Sequence, residues 1–157
     1  MNREKWLNIL LATRSSAVGG FVLRKFFRDI FPNIIPAKAH SVIDYAHVGG
    51  NLVAAAIMRK NNPAAANAAI GLAVAGLLNA VLTEYPFGLF RLYSFRAHGV
   101  VDYGIVAATE MIPKMFKFAD EREARYFRVL AAGELLIVEL SDYGDVSGSV
   151  RARNQHG

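Results

Sequence analysis

No cysteine occurs among the 157 residues of the chain. Disulfides, thiolate metal sites and cysteine nucleophiles are therefore excluded. Charge is also sparse: Asp, Glu, Lys and Arg together make up 20% of the sequence, and none of them falls between residues 61 and 83. Zinc-finger spacing, a glycine-rich phosphate loop and an aromatic RNA-binding strand are all missing. The net charge of +5 is accordingly not read as a nucleic-acid footprint. The apolar patch near the N-terminus is broken by Asn8 and is too short for a signal peptide.

What the chain does contain is apolar surface. Hydrophobic residues make up 54%, and the mean hydropathy is +0.25. The charge-free stretch NNPAAANAAIGLAVAGLLNAVLT is long enough to cross a bilayer. Its alanines and glycines suit close helix contacts in lipid; the alternative is a fully buried helix in a soluble bundle. Upstream, residues 1–34 carry a basic amphipathic pattern in FVLRKFFRDIF, which suits a helix on a membrane surface or one packed outside the core.

Further helices follow from the punctuation. Pro36 suits the first turn of helix A, which runs to Arg59. Helix B fills the charge-free stretch and ends at Glu84-Tyr85-Pro86. Helix C starts near Ser94 and ends or kinks near Pro113. Helix D runs from Glu121 to Tyr143, with Asp120 as a candidate cap, and a flexible tail covers 144–157. The expected fold is all-α: a four-helix antiparallel bundle over 35–143, preceded by the amphipathic segment and embedded in a membrane. Arg128, Glu134 and Glu139 lie within helix D, and intramembrane charges are expensive unless paired or facing a polar interior. A soluble bundle therefore stays open.

The sequence repeats itself. AHSVIDY starts at Ala39 and AHGVVDY at Ala97, so a shift of 58 places His40 on His98, Asp44 on Asp102 and Tyr45 on Tyr103. Without a gap, Leu82-Thr83-Glu84-Tyr85 then falls on Leu140-Ser141-Asp142-Tyr143. We read two helical hairpins, about 36–86 and 94–143, related by an approximate twofold axis. Residues four apart share a helix face, so each histidine sits over its aspartate. Antiparallel packing brings the starts of helices A and C beside the ends of B and D. His40, Asp44, Glu84, His98, Asp102 and Asp142 are thereby expected at one pole.

Two imidazoles with four carboxylates suit a cation such as iron, manganese or zinc. Four clustered carboxylates must otherwise separate or hold protons. Three functions fit: a membrane-embedded metal site supporting redox or hydrolytic chemistry; a non-catalytic membrane subunit or scaffold whose His/Asp pairs are structural clamps; or a haem or pigment carrier with His40 and His98 as ligands. Whether the chain is an enzyme is left open by its residues. His47 has no counterpart in the repeat, Ile105 standing there; with Asn51 it extends the polar face inward. Glu110, Glu134 and Glu139 are read as polar-face or ion-pair residues. Lysine and arginine divide eleven to seven in favour of the site side. The expected placement is thus multi-pass in a membrane, with both termini cytoplasmic and with lipid, and other membrane subunits, as partners.

Overall fold

The computed structural model describes residues 33–144. The expected amphipathic segment up to residue 32 and the tail beyond Gly144 lie outside the described residues. Four helices carry the fold: α1 (Ala37–Met58), α2 (Pro63–Leu82), α3 (Phe95–Met115) and α4 (Ala124–Leu140). Each begins where the sequence offers a start. Asn62 accepts from the Ala65 amide with Pro63 in the first turn of α2, the arrangement that satisfies an orphan donor at no cost in lost N–H. Ser94 does the same for Ala97 at the start of α3. At α4 the expectation fails: Asp120 is not the cap. The helix starts at Ala124 behind Glu123, which makes no capping bond through its side chain, because the chain from 118 to 123 first winds through single turns. Pro113 lies inside the last turn of α3, which ends near it, two residues later, at Met115.

Both hairpins stop short of the expected ends. α2 closes at Leu82 and α4 at Leu140, and Thr83 and Ser141 are extended, with ψ of 141° and 136°. Thr83–Glu84 forms β1, paired in parallel with β2 (Tyr93–Ser94), Thr83 opposite Tyr93. At the other side of the bundle Ser141 bridges Ile35 in parallel. A shift of 58 turns one pair into the other. The flanking bonds repeat too: Leu92 N to Leu82 O at 2.7 Å, and Ile34 N to Leu140 O at 2.9 Å. The end of each hairpin is stitched to the start of the other, by backbone pairs that repeat at the 58-residue shift.

Two apolar clusters fill the interior. One lies away from the stitched pole and joins Met58, Leu72, Ile112, Phe118 and Phe127 to the alanines of α1 and α2. The other lies at the stitched pole, around Ala37, Ala80, Tyr85 and Phe95. Among the described residues, one helix, α2, is long and apolar enough to cross a membrane.

Candidate metal centre

Between the stitched ends sit the two histidines, each 1% exposed. Their Nε2 atoms face each other at 3.2 Å. Asp44 stands 3.3 Å from His40 Nε2 through Oδ1 and 3.4 Å from His98 Nε2 through Oδ2. Asp102 Oδ2 stands 3.4 Å and 3.1 Å from the same two nitrogens. The intrahelical His-x-x-x-Asp spacing brings each pair together, and the twofold relation brings the pairs together.

The outer ring nitrogens decide the tautomers. His40 Nδ1 meets the Ser141 hydroxyl at 2.6 Å, and His98 Nδ1 meets the Thr83 hydroxyl at 2.8 Å. Each hydroxyl has one proton and donates it to a helix carbonyl, Ser141 to Ile137 O and Thr83 to Asn79 O, both at 2.6 Å. What remains on the hydroxyl is acceptor capacity. Each Nδ1 is thereby placed to donate outward. A neutral ring that does so turns its Nε2 lone pair toward the other ring and two carboxylates, the tautomer a metal-binding histidine takes.

A set of mutual acceptors does not hold together without a positive charge. Tyr85 donates to Asp44 Oδ2 at 2.7 Å, and Asn79 Nδ2 donates to Asp102 Oδ1 at 2.8 Å. The Asn79 amide is oriented for this by the Tyr93 hydroxyl, which holds its oxygen. Asp102 Oδ2 is buried and has no hydrogen-bond partner among the described residues. Burial and the Asp44 carboxylate push the Tyr85 phenol up, and burial and the Asp102 carboxylate do the same to Tyr143. Both phenols stay protonated and add no charge.

His40, His98 and Asp102 offer ligand atoms that all lie within 4.8 Å of one another, a group that could hold a metal ion. The spacing fits the chemistry. Ligands 2.0–2.1 Å from a tetrahedral ion stand roughly 3.3 Å apart, and the edges here are 3.1, 3.2 and 3.4 Å. The same geometry does not fit haem. Axial imidazoles stand on opposite faces of a macrocycle, whereas these nitrogens touch. Phe95, 1% exposed, packs on both rings with centroids at 5.0 and 5.7 Å.

Two expected ligands are not brought into the cluster. Neither Glu84 nor Asp142 has an ion-pair contact with either histidine among the described residues; Asp142 Oδ1 instead accepts from the Gly144 amide at 2.9 Å. The cause is the early helix end. Once the chain is extended at Thr83 and Ser141, side chains alternate. Thr83 and Ser141 go inward (0% and 3% exposed), and Glu84 and Asp142 are left only partly buried. The hydroxyls that fix the tautomers were visible in the repeat as Thr83 over Ser141. Asn79 was not, because Ile137 stands at its counterpart. Glu134 is 9% exposed inside the bundle, and it takes the ion-pair role rather than the polar-face one, with Oε1 3.9 Å from His47 Nδ1.

Thr83→Val and Ser141→Ala each leave one Nδ1 proton without its acceptor. Each is expected to weaken zinc binding roughly 10- to 100-fold, the usual cost of losing a partner behind a metal-binding histidine. Competition titration against a chelating dye measures this; unchanged affinity in both variants contradicts the tautomer assignment.

Compared with known proteins, the chain matches no family model, no curated protein and no solved structure. Fold and site thus define a class only: a mostly helical protein with four helices among the described residues and a histidine–aspartate group that could hold a metal.

Proposed function

We propose that the chain is a small integral membrane bundle whose two hairpins build one divalent-cation site from His40, His98, Asp102 and Asp44. The observation that carries this reading is the pair of buried Nε2 atoms 3.2 Å apart, each with its Nδ1 on a hydroxyl and faced by two carboxylates. Imidazole with carboxylate suits zinc, iron or manganese. When bound, such an ion supplies Lewis acidity or, for iron and manganese, a redox couple. The chain's own part is to fix both tautomers through Thr83 and Ser141, hold the carboxylates through Tyr85 and Asn79, and exclude water from the pole with Phe95.

The membrane half of the reading is supported by what the bundle leaves outside. Val53, Val100, Val129 and Leu136 are 48–72% exposed, one or more on each of α1, α3 and α4, and α2 adds Val74, Leu77 and Leu78. The helices have 17 to 22 residues, about 26–33 Å at 1.5 Å per residue, which matches a hydrocarbon core of about 30 Å. Groups of cations lie at the helix ends, such as Arg59 and Lys60 after α1 and Lys114 and Lys117 around the end of α3.

A second reading has its own support. Each histidine bonds to a hydroxyl of the other hairpin, so the network also docks the halves. In that reading a proton bridges the two nitrogens and no metal is needed. One preparation separates the two readings. Carbonate-washed membranes are extracted with detergent, and the purified protein is assayed for iron, manganese and zinc, before and after each ion is added. About one ion per chain, retained through gel filtration, supports the metal reading; none retained under any condition leaves the clamp. Recovery of the protein in the soluble fraction overturns the membrane reading.

A further inference from the structure

Beneath the cluster a cavity of about 50 Å³ runs into the bundle. Its lining includes all four residues of the cluster and continues to His47, Asn51 and Glu134. That volume holds a few waters and is too small for a ring-sized ligand. Glu134 comes in from α4 and His47 from α1. Glu134 Oε2 takes a long 3.4 Å bond from Thr109, and Oε1 lies 3.9 Å from His47 Nδ1, beyond hydrogen-bond distance. A carboxyl group 9% exposed with no short bond is costly, and here it borders the cavity.

The repeat says what this pair is not. Residues that dock the hairpins are written twice: His40 with His98, Asp44 with Asp102, Ser141 with Thr83. His47 and Glu134 are written once. Their counterparts under the 58-residue shift are Ile105 and Gly76, both also on the cavity wall. At the equivalent positions of the other half the fold carries an isoleucine and a glycine, so the bundle does not require an imidazole and a carboxyl group there. The polar pair serves the cavity.

We propose that the cavity is a water pocket of the metal centre and that Glu134, backed by His47, is the proton acceptor for water held beside the bound cation. The step balances simply: an O–H bond of a cavity water breaks, its proton passes to Glu134 Oε1, and the oxygen is left with the electron pair next to the cation. At the pole Phe95 and Tyr85 are buried over the cluster, at 1% and 2% exposure. The charged or titratable groups bordering the pocket are His47, Asp44 and His40 from α1 and Asp102 and His98 from α3. Among the described residues the α2 wall is formed by Leu72, Gly76 and Asn79, none of them charged. This proposal rests on the metal reading above.

The test uses cobalt(II) as the probe in the detergent-purified full chain. Its visible absorption is followed against pH in the wild type, Glu134→Gln and His47→Ile, the last borrowing the residue the other half already carries. The ionisation midpoint is expected to fall by about one pH unit in Glu134→Gln, because a nearby negative charge opposes loss of a proton. Cobalt affinity changes little, and Glu134→Asp restores part of the shift. His47→Ile moves the midpoint less than Glu134→Gln. Cobalt bound with equal midpoints in wild type and Glu134→Gln overturns this proposal and leaves the metal reading standing. Failure of the wild type to bind cobalt overturns both.

Discussion

Replacing His98 with alanine is expected to lower zinc affinity roughly a hundred- to a thousandfold. Structural zinc sites are worth about 10–16 kcal/mol spread over four ligands, so one ligand carries about 3–4 kcal/mol. The twofold relation makes the expectation sharper: His40→Ala should cost a similar amount. Both histidines are 1% exposed, both face the same point, and both have an outward Nδ1 partner. Competition titration of the two variants side by side measures this. A large loss in one variant and none in the other contradicts a shared site. Thermal unfolding of the same samples without added metal separates ligation from packing, because each ring also packs on Phe95.

The second large effect concerns a residue that is not itself a ligand. Gly88 lies in the loop after β1, and a Cβ there meets the carbonyl oxygen of Thr83 at 1.7 Å and its carbonyl carbon at 2.9 Å. The obstacle is backbone and cannot swing aside. Thr83 in turn holds the His98 tautomer and the β1–β2 pairing. Gly88→Ala is expected to cost about 3 kcal/mol, at the upper end of overpacking, and to weaken zinc binding through Thr83. Gly71→Ala in the middle of α2 is the contrast. A Cβ there meets nothing within 4 Å, and alanine in place of a helical glycine gains about 0.5–1 kcal/mol. Melting of both variants in the same detergent reads the difference. Equal melting temperatures for Gly88→Ala and wild type contradict the close approach.

The parts of the site that the sequence made legible are those whose geometry is carried by a helix. His40 over Asp44 and His98 over Asp102 need only a 3.6-residue period, and the 58-residue repeat supplies the rest. Glu84 and Asp142 were misplaced for a local reason. The period continues on paper to Tyr85 and Tyr143, but the backbone leaves the helix at Thr83 and Ser141, and from there alternation decides which side chain turns inward. The hydroxyls took the places given to the carboxylates. Asn79 was hidden because a tertiary contact with Asp102 across α2 and α3 leaves no trace in a repeat whose other half carries Ile137. Glu134 was read as a polar-face or ion-pair residue; its ion pair with His47 is there, but its burial was not legible, because periodicity does not separate an amphipathic helix from one that borders an internal cavity.

X-ray absorption at the zinc edge of zinc-loaded protein reads the central claim most directly, since it counts the imidazoles on the ion. The two-hairpin site predicts two histidine nitrogens at about 2.0 Å together with carboxylate oxygen, and the loss of one nitrogen in either His40→Ala or His98→Ala. A shell of oxygen alone, or one imidazole unaffected by one of the two substitutions, contradicts it.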